Sequence, residues 1–305
     1  MAKPKTPILL LDGGLGTTLA DTYDCTFNDS TPLWSSQLLL TSPSTLLKAQ
    51  TAFAQAGADI VLSATYQASF EGFAASGVGE EEAARCMRKG VEIAREAFGG
   101  GDSGKGKVAL SLGAYGAVML PSQEYSGRYD EDHATRAQLR EWHKRRLEVF
   151  SGSKDCWKEV DLVAFETLPL LEEISAVREV MGSFGKAGER EFWISCVFPG
   201  GENCLPDGSS VVEIVKAMLG EREVAGRPMG VGINCTKVGK IEGLIEEFES
   251  AIGTLVESGE VVEWPSLVVY PDGTKGEVYN TATKEWEKVE NEWKASVSCF
   301  SELHP

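Results

Sequence analysis

Histidine is scarce in this chain: three residues in 305, at positions 133, 143 and 304. His133 and His143 stand ten apart on a polar helical pattern and His304 lies in the tail, so no pair has metal-ligand spacing, and all three are expected at the surface. Basic charge is also thin. Twenty-nine Lys and Arg face 46 Asp and Glu, a formal charge of −17 that repels nucleic acid and anionic membrane. No apolar run reaches the roughly 18 residues of a membrane helix, and the opening residues lead into a strand-like run instead of a signal peptide. The seven cysteines are odd in number, scattered and without CxxC spacing, which favours reduced thiols and a cytoplasmic protein over a disulfide framework. Phosphate-loop signatures are missing as well: Gly13-Gly14-x-Gly16 lacks GxGxxG spacing, and there is no GxxxxGK[ST]. The acidic clusters at 80–82 and 246–247 read as solvated helix faces.

What the chain does have is alternation. Short, predominantly apolar runs recur at 8–12, 59–65, 107–113, 161–166, 192–198, 230–235 and 266–270. Between them lie longer stretches of helical period, from Ser42 to Gly57, Glu80 to Phe98, Ala134 to Phe150, Leu170 to Phe184, Val211 to Leu219 and Ile241 to Val256. Strands apolar on both faces, each followed by a helix, predict a parallel sheet covered by helices. With 42% hydrophobic residues, a single domain over 1–305 is expected. The best fit is an α/β fold, a (β/α)8 TIM barrel, with a doubly wound open sheet as the alternative. Only 295–300 is left as a short closing strand, so the eighth strand and helix are expected to be short or atypical.

Several of these runs end in polar residues. The 230–235 run leads into Asn234, Cys235 and Thr236, and a thiol at a strand end suits a site at the mouth of a barrel. Asp12 precedes two glycines that permit a tight turn, and Glu166 lies inside an apolar run, where a carboxylate is costly unless a ligand or partner compensates it. Thr65 and Asn234 are polar strand-end groups suited either to a substrate or to satisfying the core, and Tyr66 and Tyr115 are candidates to wall the site or merely pack it.

Taken together, Leu9-Leu-Leu-Asp-Gly-Gly-Leu-Gly16, Ala64-Thr-Tyr-Gln-Ala68, Gly113-Ala-Tyr-Gly116, Phe165-Glu-Thr-Leu-Pro169, Gly232-Ile-Asn-Cys-Thr236 and Val268-Val-Tyr-Pro271 resemble the homocysteine S-methyltransferase family in order and spacing. They are most similar to its branch using S-methylmethionine or S-adenosylmethionine. The resemblance implies a zinc-dependent barrel that moves a methyl group from a sulfonium donor onto the thiol of homocysteine, forming methionine. It implies Cys235 as a zinc ligand and the catalytic thiolate, with Asp12, Gly13, Thr65, Glu166 and Asn234 around homocysteine. One element departs from the family: its Gly-Gly-Cys-Cys strand has no counterpart, and 287–305 offers only Cys299 as a second ligand. The alternative is therefore a catalytically impaired amino-acid-binding barrel with an incomplete zinc site. Zinc chemistry would suit the reaction, because a metal-bound thiol is deprotonated and nucleophilic.

Overall fold

The computed structural model describes residues 7–27, 31–99, 106–184, 190–221, 225–273, 277–280 and 285–288. The chain divides into two units, Met1–Asp272 and Gly273–Pro305. The first is an α/β unit whose six-stranded sheet contains β1 (Ile60–Leu62), β2 (Lys107–Gly113), β3 (Leu162–Leu168), β4 (Glu191–Cys196), β5 (Gly230–Lys237) and β6 (Ser266–Asp272) in strictly sequential order. Every neighbouring pair is parallel. In the second unit, β7 (Glu277–Asn280) and β8 (Glu285–Lys288) pair antiparallel. The expected closing strand at 295–300, and Cys299 with it, lies outside the described residues.

Ten α-helices are described: α1 (Leu15–Tyr23), α2 (Leu38–Thr41), α3 (Pro43–Gln55), α4 (Phe70–Ala75), α5 (Glu80–Glu96), α6 (Arg136–Ser151), α7 (Lys154–Trp157), α8 (Leu171–Ser183), α9 (Val211–Leu219) and α10 (Ile241–Glu257). Local chemistry explains their ends. Pro43 starts α3 with its φ preset and no N–H to lose, and Gly57, at φ 104°, follows its last turn. Three glutamates in the first turn of α5 and Arg95 in its last oppose the helix dipole. Capping boxes at Thr135/Gln138 and Ser210/Glu213 satisfy the leading amides of α6 and α9.

Strand side chains alternate between two environments. Val108, Leu110, Leu112, Val163, Phe165, Ile194, Val231 and Ile233 join one large core with residues of the surrounding helices. Ile60, Ala109, Leu162, Ala164 and Trp193 form a second cluster, made only of residues from the sheet and its edge, with Leu11, Leu62 and Val268 against it.

Two expectations are corrected here. The 8–12 run is not a full strand: it makes a single parallel bridge, Leu11 to Ile60, and exposes Ile8, Leu9 and Leu10 by 89%, 47% and 56%. Among the described residues its backbone hydrogen bonds run to one side, Asp12 N donating to Ile60 O and Ile60 N to Leu10 O, so what is described here is a short bridge and not a ladder. His143 is not at the surface. It is fully buried where α6 packs on α8, and its Nε2 lies 2.8 Å from Glu173 Oε1. Burial pushes its pKa below the ordinary value although Glu173 opposes the shift.

Candidate active site

The C-terminal ends of β3 and β5 meet at an irregular place. The β3–β4 register shifts between Phe165 and Leu168, and the β5–β6 register shifts between Asn234 and Lys237. At these irregularities Thr167 and Cys235 adopt positive φ, 61° and 47°, a sparsely populated conformation for residues with a β-carbon and costlier still for branched Thr. The distortion aims two polar groups at one another: Thr167 Oγ1 lies 3.8 Å from Cys235 Sγ. Asn234 locks the pair. Its Oδ1 accepts from Thr167 N at 2.9 Å, while its Nδ2 contacts Thr167 Oγ1 at 2.6 Å and Cys235 Sγ at 3.3 Å.

Aromatic hydroxyls surround this thiol. Tyr125 lies within electrostatic reach of Cys235, and Tyr66 of Cys235 and the Thr167 hydroxyl. Gly113 makes room for Tyr66: an added β-carbon would sit 2.7 Å from both its ring and its carbonyl oxygen. Tyr270 on β6 bonds Ser195 Oγ at 2.6 Å and receives Trp193 Nε1 at 3.2 Å, within electrostatic reach of Glu166 and Cys235. Tyr115, by contrast, stacks on His133 at 3.8 Å, packs edge-on to Tyr129 and Trp142, and hydrogen-bonds Asp130.

Acidic groups complete the mouth. Glu166 is buried, and its Oε1 has no hydrogen-bond partner among the described residues. Burial, and then the charge of Asp12, push its pKa up to about 8, against the pull of Ser111 and Arg146. Asp12 is raised to about 7 by burial, although its Oδ2 accepts Leu62 N at 2.9 Å. Each carboxyl is thus short of a cation. The Cys235 thiol is pushed up to about 11, chiefly by burial, with Glu166 adding to the shift and Thr167 and Tyr125 opposing it.

Thr65 and Gly13 have structural occupations. The Thr65 hydroxyl is committed to Ser111 O and Ser63 Oγ, each at 2.7 Å. At Gly13 an added β-carbon would meet Phe53 Cε1 at 2.8 Å, so the close approach visible there is to α3. Behind the mouth, the buried Arg146 guanidinium donates to the carbonyls of Thr65, Tyr66, Ala68 and Gly113, fixing the β1 and β2 ends. Thr167, Glu124, Tyr125 and Arg146 went unselected in the sequence. Only Thr167 had a signal, its place beside Glu166 in the Phe165–Pro169 motif.

Among the described residues the donor set does not complete a zinc site. Cys235 is a single thiol with hydroxyl and amide neighbours, and among the described residues no three His, Cys, Asp or Glu side chains converge on a metal position. The six described cysteines are free, and no described helix is long and apolar enough to cross a membrane.

Comparison with known proteins agrees with this frame. The family model for homocysteine S-methyltransferase matches residues 9–299. The homocysteine S-methyltransferase 2 of Arabidopsis thaliana is 36% identical over 92% of this chain and 80% of its own length. A selenocysteine Se-methyltransferase of Brassica oleracea is 35% identical over 92% and 76%. The homocysteine S-methyltransferase YbgG of Bacillus subtilis is 32% identical over 92% and 81%. Among solved structures, the metallated form of the Escherichia coli homocysteine methyltransferase MmuM superposes with a TM-score of 0.68, at 30% identity, covering 89% of this chain and 85% of that one. With the match running through every strand of the sheet and through the Asp12, Glu166 and Cys235 positions, this chain belongs to the homocysteine S-methyltransferase family.

Proposed function

We propose that this chain transfers a methyl group from a sulfonium donor, S-methylmethionine or S-adenosylmethionine, to the thiol of homocysteine, forming methionine in the cytoplasm. The observation that carries the reading is the pairing of two cation-deficient carboxyls, Asp12 and Glu166, with a thiol-lined mouth at the ends of β3 and β5. A free amino acid brings an ammonium group, and a buried carboxylate lacking a partner gains most from such a cation. Asp12 and Glu166 hold the homocysteine ammonium, and Thr167, Asn234 and Cys235 form the wall beside which its sulfur rests. Gly13 and Thr65 shape the same mouth.

The reaction needs no oxidant. A sulfur lone pair of homocysteine attacks the methyl carbon, the sulfonium C–S bond breaks, and its electron pair stays on the departing thioether. The thiol proton goes to solvent. The sulfonium charge activates the methyl group, so the chain's contribution is alignment and exclusion of water. The relatives' metal chemistry would need further thiolates beside Cys235, and no step here is taken through zinc. Closure of the sheet into a (β/α)8 barrel is part of the same reading, supported by the sequential parallel order.

Incubating the protein with homocysteine and S-methylmethionine, with and without added zinc, and quantifying methionine tests the proposal. Methionine above the protein-free rate supports it. Homocysteine binding without transfer under either condition would favour the impaired, binding-only barrel, a reading that the single described thiol of the site keeps in play.

A further inference from the structure

A third carboxyl of this mouth is unused by the mechanism above. Glu124 is 7% exposed, and its Oε2 has no hydrogen-bond partner among the described residues. It cannot swing into solvent freely, because its segment is folded back and pinned. Gln123 N donates to Gly116 O at 2.7 Å, Gly127 N to Gln123 O at 2.8 Å, and Tyr129 OH to Glu173 Oε2 at 2.6 Å. The segment presses so closely on Gly116 that a β-carbon there would lie 2.6 Å from Gln123 C and Glu124 N.

The surroundings of Glu124 differ from those of the other two carboxyls. The charge of Asp12 acts on Glu166, whereas the charge of Glu124 acts on Tyr66, Tyr125 and Tyr129. Tyr66 and Tyr125 in turn lie within reach of Cys235, so these two tyrosines connect Glu124 to the thiol. An ammonium group asks for several hydrogen-bond acceptors at once. A sulfonium has no N–H or O–H to give and is recognised by negative charge and by aromatic faces. One unpartnered carboxylate oxygen beside tyrosines matches the second cation better than the first. Burial also holds the Glu124 pKa up at about 7, so a cation arriving there draws it into its ionised form.

Resting on the sulfonium-donor reading above, we propose that Glu124, with Tyr66 and Tyr125, receives the sulfonium centre of the methyl donor. Glu124 is then a specificity residue for charged donors. The sulfonium loses its charge as the methyl group leaves, so the attraction is stronger in the ground state than in the transition state. Loss of Glu124 therefore weakens donor binding and leaves kcat unchanged or raised.

The test is calorimetric titration of the parent protein and of Glu124→Gln with S-methylmethionine, with methionine as the analogue uncharged at sulfur, and with homocysteine. A charge-assisted contact contributes enough that S-methylmethionine affinity should fall about tenfold or more, with the other two ligands within about twofold. Thermal melts verify the fold of the variant, and Glu124→Asp, which keeps the charge, should retain part of the preference for sulfonium. Equal losses for methionine and S-methylmethionine, a loss confined to homocysteine, or no loss at all would overturn the assignment. If the parent binds neither S-methylmethionine nor homocysteine, the methyl-transfer reading itself fails; if it binds both and Glu124→Gln binds both equally well, only the role of Glu124 fails.

Discussion

The amino-acid end of the site should show itself in protons. Ligand-free Glu166 titrates near 8 and Asp12 near 7, both raised by burial, while the ammonium of homocysteine pairs only with an ionised carboxylate. Binding therefore pulls the carboxyl pKa down and releases a proton at neutral pH. The sign follows: affinity rises with pH up to the ligand-free pKa of Glu166 and levels off above it. Below that value the slope is about tenfold per pH unit for one coupled proton, equivalent to about 1.4 kcal/mol. From pH 8 down to pH 6 the affinity should then fall by at least tenfold and approach about a hundredfold. Titration calorimetry in buffers of different ionisation enthalpy counts the released protons directly. L-homoserine is the control, since it keeps the ammonium and replaces the titrating thiol with a hydroxyl. Glu166→Gln should bind homocysteine more weakly by about 1.5–3 kcal/mol and lose the dependence between pH 7 and 8, leaving only that of Asp12 below pH 7. A flat affinity profile with no proton release, or a profile unchanged in Glu166→Gln, would refute the pairing.

Other outcomes follow from the same geometry. Cys235→Ala should melt within a few degrees of the parent, because only one sulfur is lost, while the homocysteine requirement for methionine formation rises as the wall beside the substrate sulfur is cut away; an unchanged requirement would remove Cys235 from that wall. Arg146→Lys replaces a fork serving four carbonyls with a point donor and should cost about 2–4 kcal/mol in denaturant unfolding, together with weaker homocysteine binding. Gly113→Ala drives a β-carbon against the Tyr66 carbonyl and ring, an overpacking of about 1–3 kcal/mol that should also raise the homocysteine requirement. Finally, Asp12, Glu124 and Glu166 all hold protons more tightly folded than unfolded, so the ligand-free protein should gain stability as pH falls from 8 towards 6.5, the loss from buried His143 beginning only below that. Thermal midpoints at pH 8 and 6.5 check the direction.

Strands that pair along most of their length were legible in the sequence. The expected runs at 107–113, 161–166, 192–198, 230–235 and 266–270 correspond to β2 through β6 within a residue or two, because apolar residues on both faces leave few alternatives to a covered parallel strand. The expected strand at 59–65 stops at Leu62, and beyond it the Arg146 guanidinium takes the Thr65 carbonyl and shares the Tyr66 carbonyl with Gly113 N. The 8–12 run is an apolar pattern that makes a single bridge among the described residues. In the site, Asp12, Glu166, Asn234 and Cys235 were readable as polar endings to apolar runs. Glu124 and Tyr125 were not, since they sit in a loop with no period, and the fold-back over Gly116 brings Tyr125 within reach of Cys235 and Glu124 beside Tyr125. His143 misled because its helix carries many charges, and sequence alone does not tell that Glu173 of α8 waits opposite it.

The sequential order of β1 to β6 bears on how the chain is made as well as on what it is. Each strand after β1 pairs first with the strand synthesised just before it, so no strand must await a distant partner before its first ladder can form. A nascent chain emerging from the ribosome at about 5–20 residues per second can add one strand and its covering helix at a time onto a growing edge. Until the next strand arrives, that edge is exposed to other chains. The strand order thus matches the direction of translation, and a charged or otherwise protected growing edge matters at every step of that assembly and not only in the finished sheet.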